Sequence, residues 1–254
     1  MKKINIFVVT CIILIGLSCK KHSTDDSGNT DNNNNTTHVP AVFSHFDSSV
    51  TTSTDGSYVT LHTNGLPEHK SPYYITTQWE ATLYEAYNGT NPNFNLNPNR
   101  IASQNLTFKI PFNPAVASTH EATPLGPIGI AVNGVPLYNQ YAGPAQPLTN
   151  EINSFDQYNG HPQMTGQYHY HVEPLFITAY HGKDALIGFL LDGFPVYGPL
   201  ENGVTLTTAD LDTYHGHTGV TADYPNGIYH YHITADAPYI NGNGFYGTKG
   251  SVTQ

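Results

Sequence analysis

Ile128-Gly129-Ile130-Ala131-Val132-Asn133-Gly134-Val135-Pro136-Leu137-Tyr138 returns later in the chain as Ile187-Gly188-Phe189-Leu190-Leu191-Asp192-Gly193-Phe194-Pro195-Val196-Tyr197. Each copy reads as a strand, an Asn-Gly or Asp-Gly turn, and a second strand with a proline near its start, where a missing N–H donor is tolerated. Two matching polar blocks follow in the same order. Asp156-Gln157-Tyr158-Asn159-Gly160-His161 pairs with Asp212-Thr213-Tyr214-His215-Gly216-His217, and Gly166-Gln167-Tyr168-His169-Tyr170-His171 pairs with Gly227-Ile228-Tyr229-His230-Tyr231-His232. Three blocks in one order imply two related β-units, residues 128–171 and 187–232, within one domain. Two units are too few for a solenoid.

The flanking sequence carries the same β signature. From Val39 onward short apolar stretches are broken by Gly, Pro and Asn, with 23 glycines and 18 prolines overall, a punctuation that favours strands and loops. Tyr58-Val59-Thr60-Leu61, Leu106-Thr107-Phe108-Lys109-Ile110 and Ile228-Tyr229-His230-Tyr231-His232-Ile233 are rich in β-branched and aromatic residues at strand length. Helical periodicity is hard to find, and one short helix is expected near Thr207 or Thr208, ahead of Ala209-Asp210-Leu211-Asp212. The expected fold is all-β, a single sandwich-like domain with long loops over residues 38–254, its core at 58–239.

The N-terminus sets the expected compartment. Lys2 and Lys3, the apolar run Ile4 to Leu17, and Ser18 before Cys19 have the layout of a secretory signal over residues 1–18. A small residue directly before a cysteine resembles a bacterial lipoprotein signal, which implies acylation of Cys19 and a lipid anchor in the cell envelope, on the outer membrane. Residues 19–37, dominated by Ser, Thr, Asp, Asn and Gly, read as a flexible tether. Cys11 lies in the apolar run, so the mature chain has neither a disulfide nor a second thiolate, and metal chemistry falls to His, Asp, Glu or Tyr.

Removing Lys2 and Lys3 leaves 7 basic against 19 acidic residues, a net charge of about −12 that disfavours nucleic acid as a partner. A charged fraction of only 11% and 18 tyrosines argue for a folded core rather than a disordered chain.

The two Tyr-His-Tyr-His tetrads, each preceded by Gly-His and by an Ile-Gly-x-x-x-[Asn/Asp]-Gly-x-Pro strand pair, resemble the YHYH family of bacterial exported proteins. Thr63-Asn64-Gly65-Leu66-Pro67-Glu68-His69 is similar to that family's N-terminal signature. Many members carry a cysteine near the positions of Tyr158 and Tyr214, so any role of that thiol does not transfer here. The resemblance supplies no reaction.

Chemistry must therefore come from the residues. Alternate side chains of a strand share a face, so His169 and His171 project together, as do His230 and His232, with the tetrad tyrosines opposite. Imidazoles at i and i+2 can converge on one ion, and the preceding Gly-His offers His161 or His217 as a third ligand. Asp156 and Asp212 are candidate ligands, or acceptors that fix an imidazole tautomer. His69 is a further candidate on the resemblance and its residue type. The scattered His22, His38, His45, His62 and His120 are expected to face solvent.

Imidazole ligands without thiolate point to a transition ion such as zinc or copper rather than calcium or magnesium. A three-histidine zinc site can activate water and a copper site can shuttle electrons; a purely structural ion is equally compatible. The residues do not say whether there are two sites or one composite site. There is no Gly-x-Ser-x-Gly elbow, phosphate loop or dinucleotide fingerprint. Asp192 and Asp212 could be read as a glycosidase carboxylate pair, but Asp192 aligns with Asn133, which favours a turn role. The rival reading is a metal-free surface β-domain that binds a glycan or protein, with small molecules also possible partners, through tyrosine-rich faces.

Overall fold

Each unit contributes one mirrored half of an eight-stranded sheet in the computed structural model, which describes residues 38–242 and 244–254. The signal segment and the whole of the tether, with Cys19 and His22, lie outside the described residues. In the first unit β4 (Pro127–Ala131) and β5 (Pro136–Tyr138) form the predicted hairpin, followed by a small hairpin of β6 (Tyr141–Ala142) and β7 (Gln146–Pro147), then β8 (Gly160–Pro162) and β9 (Tyr168–Tyr170). The second unit repeats this as β10 (Leu186–Leu190), β11 (Pro195–Tyr197), β12 (Leu200–Glu201), β13 (Val204–Thr205), β14 (Gly216–Gly219) and β15 (Ile228–His232).

The sheet order is β14-β15-β11-β10-β4-β5-β9-β8, a palindrome of equivalent strands. At its centre β10 and β4 run antiparallel, with Phe189 opposite Ile130. These two occupy the same place in the duplicated sequence, so a local twofold passes between them. Gly129 and Gly188 flank the axis, and glycine is required at both: a Cβ on Gly188 would stand 2.1 Å from the carbonyl oxygen of Ile130, and one on Gly129 would stand 2.4 Å from that of Phe189. Outward from the axis each half has an antiparallel hairpin, then a parallel pair (β5·β9 and β11·β15), then an antiparallel edge pair (β8·β9 and β14·β15).

A second, four-stranded sheet has the order β1 (Thr51–Thr54), β2 (Tyr58–Thr63), β3 (Leu106–Pro111) and β16 (Ser251–Thr253). Its central strands alternate as one-sided strands should. Val59, Leu61, Leu106, Phe108 and Ile110 are buried, whereas His62 and Lys109 are exposed. Those residues share one hydrophobic core with Ile128, Ile130, Ile187 and Phe189, whose strands are buried on both faces. Each such side chain contributes roughly 1.5–3 kcal/mol by leaving water. The all-β expectation holds.

Helix is scarce, and the short one expected near Thr207 or Thr208 is of the 3₁₀ kind. Near Thr207 the chain makes only a 3₁₀ turn, Thr208–Asp210, tied by the Thr207 N–H donating to the Asp210 carboxylate at 2.9 Å. Among the described residues the α-helices are α1 (Glu80–Leu83) and α2 (Leu175–His181), the latter entered from Pro174 and closed by Gly182 at φ 104°. Proline before and glycine after were its sequence signals, too little to stand out in a chain so rich in both. Among the described residues no helix is long and apolar enough to cross a membrane.

Candidate metal centre

The tetrads work as two-faced strands. On one face the tyrosines enter the core and are anchored by polar partners at equivalent places in both units. Tyr168 donates to Asp156 and Tyr229 to Asp212, at 2.9 and 3.0 Å, while Tyr231 donates to Asp192 at 2.6 Å and the equivalent Tyr170 oxygen accepts from Asn133 at 3.1 Å. Asp156 and Asp212 thus sit on the tyrosine face. They also accept the backbone N–H groups of Tyr158 and Gly160, and of Tyr214 and Gly216, so their work is to close the turn before each Gly-His. The reading of these aspartates as ligands or imidazole acceptors is corrected accordingly, because a strand's alternation puts them opposite the histidines. His69 also stands apart, its Nε2 3.2 Å from the Tyr170 hydroxyl and its Nδ1 donating to the Lys70 carbonyl. Asp192 serves its turn, accepting from Phe194 N–H, and also from Gly247 N–H.

On the other face the histidines converge. His161 lies opposite His169 in the β8·β9 register, and His217 opposite His230 in β14·β15. Two groups result, His161, His169 and His171 with Glu151, and His217, His230 and His232 with Glu201, the donor atoms of each lying within 4.8 Å of one another. Either group could hold a metal ion. The arrangement is two three-histidine groups rather than one composite group.

The hydrogen bonds fix which nitrogen points inward. His169 Nδ1–H donates to the Gln167 carbonyl at 3.1 Å and His171 Nδ1–H to that of Asn139 at 2.6 Å. Ser154 Oγ donates to the Glu151 carbonyl, so at 2.7 Å it accepts from His161 Nδ1–H. With every Nδ1 protonated, the neutral rings present three Nε2 lone pairs. Nε2 of His169 is 3.0 Å from Nε2 of both His161 and His171, and a Glu151 oxygen is 3.3 Å from His161 Nε2. Electron pairs facing one another at this range repel unless a cation sits among them. Ligands 2.0–2.1 Å from a tetrahedral zinc stand about 3.3 Å apart, close to these separations.

The second group repeats the pattern. His230 Nδ1–H donates to the Ile228 carbonyl and His232 Nδ1–H to that of Gly198, the counterpart of Asn139. His217 and His230 Nε2 are 3.1 Å apart, and Glu201 approaches them at 3.3 and 3.4 Å. His232 Nε2 is buried without a hydrogen-bond partner, the kind of orphaned donor atom that a bound ion would satisfy.

Burial favours the neutral form of the four tetrad imidazoles, His169, His171, His230 and His232. It pushes His171 and His232 down to about 4, and His169 well below its usual value with the charges of His161 and His171 adding to the effect; His230 is lowered for the same first reason. Above about pH 6.5 these rings are neutral whether the chain is folded or not. As pH falls from there toward 4 the unfolded chain takes up protons that the fold refuses, so stability is lost through that window. Chelator-treated protein should lose on the order of 2–3 kcal/mol per buried ring, summed over His171 and His232, between pH 6.5 and 4. Urea unfolding across that range checks this, and a flat profile would contradict it.

Glu151 and Glu201 were missed by the sequence reading, for a physical reason. Glu151 stands on a 3₁₀ turn, Glu151–Ser154, well beyond Tyr138, whereas Glu201 follows Tyr197 almost at once on β12. The carboxylates reach equivalent points in space from unrelated points in the sequence, so the duplication does not reveal them. Of the histidines expected at the surface, His38, His45 and His62 are exposed, whereas His120 is half-buried, stacked on Tyr214 with its Nδ1–H donating to the Phe245 carbonyl.

A family model described as "YHYH protein" matches residues 107–205 and 200–245, together more than half of the chain. Thr63 to His69 lies outside the matched residues. Neither a curated protein nor a solved structure matches the chain.

Proposed function

The chain belongs to the YHYH protein family, and from that membership and its two histidine clusters we propose that it is a cell-envelope protein that binds two transition-metal ions. The observation that carries this is the convergence of histidine Nε2 atoms on each other, with a carboxylate beside them, at two places related by the local twofold. Nitrogen with one carboxylate suits zinc or copper, and zinc best where the four donors approach a tetrahedron. Held from the start by carbonyl acceptors at His169, His171, His230 and His232 and by the Ser154 hydroxyl at His161, these rings need little reorganisation to receive an ion. The signal-like residues 1–18 and Cys19 support export and a lipid anchor on the outer membrane. The tyrosines of the tetrads do not favour the glycan-binding alternative, since Tyr168, Tyr170 and Tyr231 are fully buried and offer no face to a sugar.

Elemental mass spectrometry on untagged protein, purified without added metal or chelator, tests the proposal. About two ions per chain are expected, one lost in His169→Gln/His171→Gln, the other in His230→Gln/His232→Gln, and both in the fourfold variant. Wild-type protein that arrives empty and takes up neither zinc nor copper would sink the reading.

A further inference from the structure

The two centres share their ligands but not their surroundings. In the first, the histidines are shut off from solvent. His161, His169 and His171 are each no more than 3% exposed. The Tyr138 ring stacks on His169 at 3.9 Å, and Phe155 lies against His161 at 4.8 Å and parallel to His171 at 5.7 Å. Tyr138 is pinned there by donating its hydroxyl to Gln167 on the turn between β8 and β9.

In the second unit the closing tyrosine is displaced and one histidine is partly exposed. The side chain of His217 is 32% exposed, against 4% for His161. Tyr197, the counterpart of Tyr138, makes an edge contact with His230 at 5.4 Å instead of stacking, and its hydroxyl donates to Asp223 at 2.9 Å. Asp223 lies in the segment 220–227 between β14 and β15, longer than its counterpart 163–167 between β8 and β9. The displaced tyrosine and the longer segment leave a cleft of about 610 Å³, which Glu201, His230 and His232 themselves line. Its far wall comes from outside the duplication: His45, paired with Asp223 at 2.7 Å, and His181 and Asp184 at the end of α2.

We infer that the two centres have divided their roles, the first holding a structural ion and the second an ion whose cleft-facing side accepts a small organic ligand. This rests on the proposal that the clusters bind metal. The volume is that of a small-molecule site. The ligand class follows from the lining: beyond the ion and its ligand Glu201 stand the carboxylates of Asp184 and Asp223, so the occupant is an uncharged or cationic molecule offering a nitrogen or oxygen donor to the ion. Zinc-type ions take a fifth ligand readily, and Glu201, on a two-residue strand beside Asn202 at φ 50°, lines the cleft together with His230 and His232.

Cobalt(II) in place of the native ion makes the two centres visible through their d–d absorption, with imidazole as the neutral probe and azide as the anionic one. In His169→Gln/His171→Gln, which retains the second centre, imidazole at millimolar concentration is expected to shift the bands with saturation, and azide to bind at least several-fold more weakly. In His230→Gln/His232→Gln neither probe should change the spectrum. Val220→Trp, at the mouth of the cleft and away from the ligands, should weaken imidazole binding about tenfold or more without changing cobalt content. That last comparison decides alone if either double variant fails to fold. Two bound cobalt ions with no response, or a response from the first centre, would overturn the division of roles while leaving metal binding intact. A preference for azide would overturn the ligand class. Failure to bind cobalt, zinc or copper at all would overturn both proposals.

Discussion

A chelator added to the metal-loaded protein is expected to lower its melting temperature by roughly 15–30 °C. An ion present at about a thousand times its dissociation constant stabilises the folded state by about 4 kcal/mol, so two centres supply about 8. For a domain of this size each kcal/mol is worth roughly 2–4 °C. The effect is this large because the ion does more than add bonds. Without it the buried Nε2 atoms of His161, His169 and His171 face one another across 3.0 Å with no proton between them, and His232 Nε2 keeps a lone pair unsatisfied in the interior. Calorimetry with and without chelator, at a pH above 6.5 where protonation does not intrude, makes the measurement. An unchanged melting temperature in protein shown to have lost its ions would mean the clusters do not couple metal to folding.

Gly188→Ala should destabilise the domain by about 4 kcal/mol or more, a loss of roughly 8–16 °C. The added Cβ would lie 2.1 Å from the Ile130 carbonyl oxygen and 2.7 Å from the Ala131 Cα, both backbone atoms of the facing strand, so no side chain can swing aside. Relief requires β4 and β10 to separate, and these strands are the seam between the two halves of the sheet. Gly129→Ala tests the same seam from the other side, where the contact is with the Phe189 oxygen at 2.4 Å and the expected loss is similar. Gly143→Ala, with nothing within 4 Å, is the control and should change stability by no more than about 0.5 kcal/mol. Equal melting temperatures for Gly188→Ala and the control would show that the seam tolerates opening.

The seam also bears on how much of the fold was legible. The duplicated hairpins could be read because turn chemistry is local: Asn133-Gly134 and Asp192-Gly193 each reverse the chain, with the glycines at φ 82° and 83°. The palindromic order could not be read, since nothing in either copy says whether its partner is stacked on it or extends the same sheet. Packing of Gly129 and Gly188 against opposing carbonyls settles that, and a strand glycine taken from sequence fits a bulge or a sharp bend equally well.

The sequence by itself determined the β-rich fold, the two units, and the sorting of each tetrad into a histidine face and a tyrosine face, because all three follow from residue order and the two-residue period of a strand. Tertiary structure alone decided what stands opposite those faces. It brought Glu151 and Glu201 to matching places from unmatched positions, turned Asp156 and Asp212 toward the tyrosines, and closed one centre with aromatic rings while opening the other to a cleft. Ligand convergence and solvent access depend on which distant segments pack against a strand, and one strand's own sequence does not encode its neighbours.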